Sequence, residues 1–492
     1  MTSPPMTRAP ARPGAALALL LAAALLAGLD FMIMNVALPA IKDDLGFTPE
    51  DLQWVISAYA LALGGFLLLG GRLADLFGPR RLFVGGFAIL TVASLVGGLV
   101  ANGVVLILAR AVQGFGAALL TPAALALIAY MFAEGAERNR AMGLFAAMQA
   151  VGATTGLIAG GLLVDGPGWQ WVMLANVPLG LAALVLGPAL LPERQDRDTT
   201  QGFDLVGAIL VTASLVVLLY AVVTANQHGW ASATTLLLFA AAAVGLALFV
   251  VVEHRVEHPL MPLDYLSRLD LAGSNLVAFL LTASAWSLFF MLTLHMQVVR
   301  GWSAIECGAA YIPMGVGIFL IARFVSPIAI GRVGARLTLG TALTLNAVAL
   351  AWLGTQMVLQ SNYWSNLLAP MVLLAIANGL ANSTAIVAAL QGVPGHEQGL
   401  ASGLVVTALQ VGGAFGVAIL VSVSTAVTGD STSLQSINDG YQHAIYTGAG
   451  LSVLGAAVAF ALAAAGRRRG AATGGGAADS GAGLTTPAEA SA

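Results

Sequence analysis

Long apolar runs separated by short polar breaks make up most of the chain. A helix needs about 20 apolar residues to cross the ~30 Å hydrocarbon core of a bilayer. Runs of that kind lie near 15–39, 53–71, 82–101, 104–131, 142–164 and 172–191, then near 205–224 and 232–252. Six more follow near 271–297, 303–325, 337–358, 367–391, 400–425 and 442–465. The pattern predicts an all-α polytopic membrane protein with fourteen transmembrane helices, arranged as two six-helix bundles plus two extra helices. The expected organisation is a cytoplasmic segment 1–14, a first bundle 15–191 and a linker 192–270 that holds the extra pair. A second bundle 271–465 and a disordered cytoplasmic tail 466–492 complete it. The first apolar run has no convincing small-residue cleavage site after it, so it reads as a retained span rather than a removed signal.

The placement of positive charge supports this count. With the N-terminus inside, the cytoplasmic segments collect Arg8, Arg12, Arg72, Arg80, Arg81, Arg138, Arg140, Arg194, Arg197, Arg255, Arg268, Arg332, Arg336 and Arg467 to Arg469. The outer loops keep Lys42 and Arg300, while Arg110 and Arg323 fall within spans. Cationic loops stay on the cytoplasmic side, so a miscounted helix would destroy the asymmetry. Both termini are expected to be cytoplasmic, in a multi-pass protein of the inner membrane.

Composition agrees. Hydrophobic residues make up 59% of the 492 and charged residues 9%, against roughly 25% charged in a soluble domain. A net charge of −3 gives no reason to expect a nucleic-acid partner. Cys307 is the only cysteine, which excludes an intrachain disulfide and a thiolate metal site. No metal site and no cofactor are expected, and no phosphate-binding Gly-x-x-x-x-Gly-Lys pattern occurs.

Two charges interrupt runs that are otherwise suited to lipid. Asp30 lies in Leu29-Asp30-Phe31-Met32-Ile33-Met34-Asn35-Val36-Ala37-Leu38-Pro39, and Arg110 lies in the run 104–131. A charge near the bilayer centre costs at least ~2.5–3.5 kcal/mol, so each needs a partner or a function. At 1.5 Å per residue, Asp30 is ~14 Å inward from Pro39, and Arg110 is ~9 Å inward from the opposite-running start of its own helix. They share a similar depth and are expected to face each other.

Three further stretches carry recognisable chemistry. A tight turn, Gly71-Arg72-Leu73-Ala74-Asp75-Leu76-Phe77-Gly78-Pro79-Arg80-Arg81, joins the second and third runs. The fourth run opens Leu106-Ile107-Leu108-Ala109-Arg110-Ala111-Val112-Gln113-Gly114. The fifth places Gly152, Gly156, Gly160 and Gly161 at close-packing spacing, which lets helices approach backbone to backbone. The turn resembles the hallmark loop of the major facilitator superfamily, and the Arg110 segment resembles that superfamily's fourth-helix motif. The glycines resemble its antiporter motif. The Asp30 stretch and Trp169–Gly180 resemble signatures of the fourteen-helix drug:proton antiporters. Leu76, Pro79, Leu157, Gln170 and Leu409 depart from the usual residues, and the second-half counterpart of the turn, Gly331–Arg336, has no aspartate.

The resemblance implies proton-coupled efflux of small lipophilic drugs or antibiotics by alternating access, driven by the proton gradient, with no enzyme activity. Asp30 is the expected proton carrier. Burial opposes its ionised form and Arg110 favours it, so a proton can come and go. Asn35 and Gln113 are expected hydrogen-bonding neighbours of the pair. Gly71, Asp75, Gly78, Arg80 and Arg81 are the expected gate, with Asp75 meeting the start of the helix near Leu400. Phe31, Met34, Trp286, Phe289, Phe290 and His295 are candidate cavity residues, although an aromatic stripe is also ordinary packing. With Asp30 as the one deep carboxylate, neutral or monovalent substrates are expected over dications. The expected partners are that substrate, protons and the lipid bilayer, with the protein acting as a monomer. One alternative is a narrow exporter of a single endogenous metabolite or self-made antibiotic. Others are a non-transporting membrane sensor, and an intramembrane hydrolase using His295 with Ser284 or Ser287, whose spacing matches no catalytic pattern.

Overall fold

The computed structural model describes residues 12–132, 136–193, 204–256, 269–360, 362–390, 398–429 and 431–478. The described chain is all-helical. The first half consists of α1 (Pro13–Leu45), α2 (Pro49–Phe77), α3 (Pro79–Leu99), α4 (Gly103–Met131), α5 (Ala136–Asp165) and α6 (Gln170–Leu190). Two helices follow, α7 (Leu205–His228) and α8 (Ala233–Glu253). The second half consists of α9 (Leu269–Leu294, continued by a π-helical turn His295–Val299), α10 (Ala304–Val333), α11 (Ala335–Gln356), α12 (Tyr363–Ala389), α13 (Gln398–Thr428) and α14 (Leu434–Ala478). Among the described residues eleven helices are long and apolar enough to cross a membrane, and Asp51–Leu67, Val151–Asp165 and Val206–Val222 are shorter apolar stretches of three others.

The helices outrun the apolar runs because hydropathy marks the lipid-facing length while local chemistry sets the ends. Pro13 starts α1, and Gly46, at φ 66°, ends it by donating its N–H to the Lys42 carbonyl. Thr48 then caps α2 by accepting from the Asp51 N–H at 3.1 Å, and Asn102 caps α4 through the Val105 N–H at 3.1 Å. Both spare one of the orphan donors of a helix start. Within α6, Pro178 lacks the N–H that would reach back to Leu174, and the helix is interrupted at Ala175. At the chain's end α14 runs on through Arg467 to Ala478 instead of stopping at Gly466. Residues 479–492 of the expected tail lie outside the described set.

The two halves repeat one plan. α1 packs on α5, and α2 and α3 pack on α4; in the second half α9 packs on α13, and α10 and α11 pack on α12. Gly78 (φ 88°) turns α2 into α3, and Gly334 (φ 88°) turns α10 into α11. That conformation strains any side chain bearing a Cβ. The extra pair is not merely an outer ornament. α7 lies against α2, where Val216 packs on Gly65, and against α13, where Val222 packs on Ala418. It therefore covers a seam between the halves, while α8 exposes Leu236, Leu237, Val244 and Leu248, a surface suited to lipid.

The halves join at the arginine-poor end. There Gln297 Nε2 donates to the Val36 carbonyl at 3.1 Å, and the Asp165 carboxylate accepts from the N–H groups of Ala304 and Ile305 at 3.3 and 2.7 Å. Gly161 touches the Ala304 backbone and Gly308 touches the Leu157 backbone, so α5 and α10 meet without intervening side chains.

Candidate functional site: a buried charge pair in the first half

Asp30 and Arg110 are in contact. Arg110 Nη1 lies 2.8 Å from Asp30 Oδ2, and both side chains are 0% exposed. The glycines of α5 set this arrangement. A Cβ on Gly156 would come within 2.7 Å of the Leu29 carbonyl oxygen, and one on Gly160 within 2.9 Å of the Ile33 carbonyl oxygen. Gly152 presses the Leu25 backbone in the same way. The glycine face of α5 thus holds the turns of α1 on either side of Asp30 by direct backbone contact. Gly161, next along α5, faces the other half. One helix therefore touches both the Asp30 turn and α10.

Around the pair the first half builds a closed polar network. Arg110 also donates from Nη1 to Gln113 Oε1 at 2.8 Å and from Nε to the Val55 carbonyl at 3.0 Å. Its guanidinium carbon sits 4.3 Å from the centre of the Tyr59 ring, a cation–π contact. Gln113 Nε2 donates to Ser94 Oγ at 2.6 Å. Asn176 Nδ2 donates to Asp30 Oδ1 at 2.5 Å and lies 3.4 Å from Ser94 Oγ. Each carboxylate oxygen therefore has a donor. Asn176 Oδ1 and Arg110 Nη2 are buried with no hydrogen-bond partner among the described residues.

Sequence reasoning missed part of this network. Asn176 lies within Trp169–Gly180, and an amide inside an apolar run gave the same kind of signal as Asp30. Ser94 and Tyr59 carried no such signal, since serine and tyrosine are common in membrane helices. Gln113, three residues from Arg110 and so on its face, is in the network. Asn35 donates to the Met32 carbonyl at 3.4 Å, within its own helix. Five residues turn a helix by about 140° from Asp30, which points Asn35 to another face.

The expected gate looks different in space. Arg80 and Arg81 pair with Glu193 at 2.8 and 3.2 Å, and Arg80 also lies 3.4 Å from the Pro188 and Leu191 carbonyls. They clamp the start of α3 to the end of α6 within the first half. Gly78 makes the turn, and Gly71 packs near Pro122. The side chains of Asp75, of Phe31 and of residues 398–403 at the start of α13 lie outside the described set. Of the candidate cavity residues, Met34 and Phe290 are buried in the apolar core, Trp286 packs on Gly413, and the Phe289 ring lies 5.6 Å from that of Tyr311. In this conformation these four side chains pack in or against the apolar core. His295 is buried and bonded to Asn438 at 2.8 Å. An apolar crevice of about 290 Å³ lies elsewhere, between α2, α4 and α7, lined by Trp54, Leu61, Ile107, Leu108 and Tyr220. No group of metal-ligating side chains occurs among the described residues.

A two-halved helical membrane protein with an ion pair buried inside one half belongs structurally with the secondary carriers. Residues 20–417 match the family model of the Major Facilitator Superfamily, and the chain belongs to that family. It is 38% identical to the cephamycin export protein of Amycolatopsis lactamdurans over 406 residues, covering 82% of each chain. It is also 38% identical to a puromycin resistance protein of Streptomyces alboniger over 460 residues, covering 91% of this chain and 90% of the relative. The tetracenomycin C resistance and export protein of Streptomyces glaucescens is 32% identical, over 82% of this chain and 75% of that one. Among solved structures, a POT family transporter superposes with a TM-score of 0.67 at 16% identity, covering 92% of this chain and 98% of that one. The protein is a transporter, not an enzyme.

Proposed function

We propose that this chain exports small lipophilic molecules, antibiotics among them, across the cytoplasmic membrane in exchange for protons, as a monomer with fourteen spanning helices. The arginine-rich end is the cytoplasmic one, with both ends of the chain there. The arginine-poor end, where Gln297, Asp165 and Gly161 join the halves, then faces outward and is closed in this conformation.

The observation that carries the reading is the buried Asp30–Arg110 pair, whose surroundings suit either charge state of Asp30. When Asp30 takes a proton, Arg110 keeps Gln113, the Val55 carbonyl and the Tyr59 face. Rotation of the Asn176 amide turns its spare Oδ1 toward the new O–H, and its Nδ2 is no longer required by a carboxylate. A charge that leaves one partner stranded in a buried pair costs several kcal/mol, and this arrangement reduces that cost. The pair sits among α1, α2, α3, α4 and α6, inside the first half. Proton and substrate are therefore coupled through helix movement rather than by competing for one cavity. α5 is the connecting element, since its glycines touch both the Asp30 turn and α10.

One proton entering at ~150 mV supplies about 3.5 kcal/mol, equivalent to roughly 300-fold accumulation of a neutral substrate. With both Asp30 oxygens occupied, no carboxylate is left over for a dication, and neutral or monovalent substrates are the expected class. Relatives named for export of or resistance to one antibiotic favour a second reading, a narrow exporter of a single compound.

The test is ethidium efflux from proteoliposomes by the parent and by Asp30→Asn, with and without a protonophore. Export by the parent, stopped by the protonophore and missing in a stably inserted Asp30→Asn, is the expected result. Undiminished protonophore-sensitive export by Asp30→Asn removes Asp30 from the coupling step. A parent that ignores ethidium but exports one antibiotic from a panel supports the narrow reading.

A further inference from the structure

The π-helical turn His295–Val299 closes α9 at the arginine-poor end and holds a buried histidine that the first-half network does not use. Single π turns inside longer helices often mark functional positions. His295 Nδ1 lies 2.8 Å from Asn438 Oδ1 on α14. The orientation of that amide is fixed, because Asn438 Nδ2 donates to the Met357 carbonyl at 2.7 Å and a carbonyl can only accept. Nδ1 must therefore carry the ring's proton. Nε2 is left as a lone pair, fully buried and without a hydrogen-bond partner among the described residues.

The same turn supplies Gln297, whose Nε2 reaches the Val36 carbonyl of the other half at 3.1 Å. Two residues thus separate a buried, unoccupied proton acceptor from a contact that joins the halves.

The neighbouring titratable groups are otherwise engaged. On the same stretch of chain Arg300 directly follows the turn, with its guanidinium carbon 5.0 Å from the centre of the Trp302 ring. On α10, Glu306 Oε2 accepts from the Ser303 N–H at 2.9 Å, Tyr311 meets Thr293 Oγ1 at 3.0 Å, and Cys307 is buried. On α14, Asp439 Oδ1 accepts from Gln435, and His443 Nδ1 lies against the Asp439 carbonyl; Tyr441 is also on this helix. On α1 the charges nearest Val36 in sequence are Asp30 and Lys42, equally far on either side. No carboxylate among the described residues is ion-paired with His295.

We propose that His295 Nε2 is a second proton-binding site of the carrier, and that its protonation releases the contact through which Gln297 holds the outer end closed. A proton arriving from the aqueous phase at this end forms an Nε2–H bond, and nothing leaves. The ring is then a cation with a donor that has no acceptor in the closed conformation. Moving the turn outward gives that donor to water and carries Gln297 away from Val36. The proposal rests on the reading of the chain as a proton-driven carrier, but its test does not require transport.

The test uses full-length protein in lipid nanodiscs carrying Asp30→Asn, so that the first-half carboxylate cannot respond, and Cys307→Ala. Spin labels at Asp43→Cys and Thr432→Cys, both exposed at this end on opposite halves, report the separation from about pH 8 down to about pH 3.5, a window wide enough for a buried imidazole. A longer-distance population should grow with acid and follow a single-proton curve. His295→Gln, which keeps a donor toward Asn438 but binds no proton, should abolish the change. Asn438→Asp places a carboxylate beside the ring and should move the midpoint up by about a pH unit or more. An acid response that survives in His295→Gln overturns the proposal, as does a midpoint unmoved by Asn438→Asp. Loss of dye export with this response intact counts against the export reading alone.

Discussion

Each half of the molecule buries a polar cluster, on corresponding helices. In the first half it comprises Asp30 on α1, Ser94 on α3, Arg110 and Gln113 on α4, and Asn176 on α6. In the second half the first, third, fourth and sixth helices supply Ser284, Asn346, Asn378 and Ser452. There Asn346 Nδ2 donates to Ser452 Oγ at 2.8 Å and lies 3.2 Å from Ser284 Oγ, while Asn378 Nδ2 reaches Asn346 Oδ1 at 3.1 Å. Both clusters satisfy polar groups where water is absent, and both tie four helices together. They differ in what a proton can do to them. The amides and hydroxyls of the second half have no titration step in any ordinary pH range, so that cluster has one state. A carboxylate can take up a proton, so on the proposed reading the first-half cluster has two. The same topological slot would then serve as fixed glue in one half and as a switch in the other.

Breaking the pair tests this contrast most severely. Arg110→Leu strands a buried carboxylate and should cost about 3–5 kcal/mol, seen as a large drop in thermal midpoint in detergent or in the yield of inserted protein. Adding Asp30→Asn to Arg110→Leu should recover most of that stability and none of the export. If Arg110→Leu alone melts with the parent, the pair is not the energetic centre proposed here.

Next in size are substitutions at the glycines. Gly156→Val pushes a branched side chain into the Leu29 backbone and should cost about 1–3 kcal/mol, as overpacking does. Its counterpart Gly416→Val meets the Ala283 backbone on α9 and should cost as much. The two should part in dye efflux normalised to folded protein. Gly156→Val displaces the Asp30 turn and should abolish protonophore-sensitive export, whereas Gly416→Val should retain a proton-coupled fraction. Equal loss from both would mean that helix packing in general, not the Asp30 turn, limits transport.

Much of this was legible from sequence, for identifiable reasons. Asp30 and Arg110 announced themselves because each breaks a run that lipid would otherwise select, and opposite charges at one depth have one economical partner. The glycine spacing on α5 was visible as well. Its double duty was not, since nothing in a one-dimensional pattern says that Gly156 meets α1 while Gly161 meets α10. The angular position of Asn35, about 140° round the helix from Asp30, is not carried by nearness in sequence. Glu193 was missed because it lies in a loop more than a hundred residues beyond Arg80, and long-range pairing of exposed charges leaves no local signal. Helix ends were misplaced where caps such as Thr48 and Gly46, rather than hydropathy, decide them.

A third contrast is smaller. Asn346→Ala empties the centre of the neutral cluster, takes the amide donor from Ser452 and leaves the Asn378 amide with the Leu374 carbonyl, which should cost about 1–3 kcal/mol. Because no proton site is touched, the ratio of efflux without protonophore to efflux with it should stay at the parent's value. A changed ratio would give the second half a part in coupling that its neutral chemistry does not supply.

The finest comparison uses a hydroxyl from each side. Ser94 Oγ accepts from Gln113 and lies near Asn176, the two residues that hold Arg110 and Asp30. Ser452 Oγ accepts from Asn346 in its own cluster. Removing either oxygen costs one buried acceptor, so Ser94→Ala and Ser452→Ala should each lose about 0.5–1.5 kcal/mol and melt nearly together. Export should separate them. Without Ser94, Gln113 and Asn176 lose their common anchor, and misplacement worth about 0.5–1.5 kcal/mol lowers the population of the coupled geometry roughly two- to tenfold. Ser452→Ala has no such route to Asp30 and should export at the parent's rate once corrected for folded protein. If Ser94→Ala also exports at that rate, the network beyond Gln113 and Asn176 is packing, and the switch reduces to the ion pair and its two direct amide neighbours.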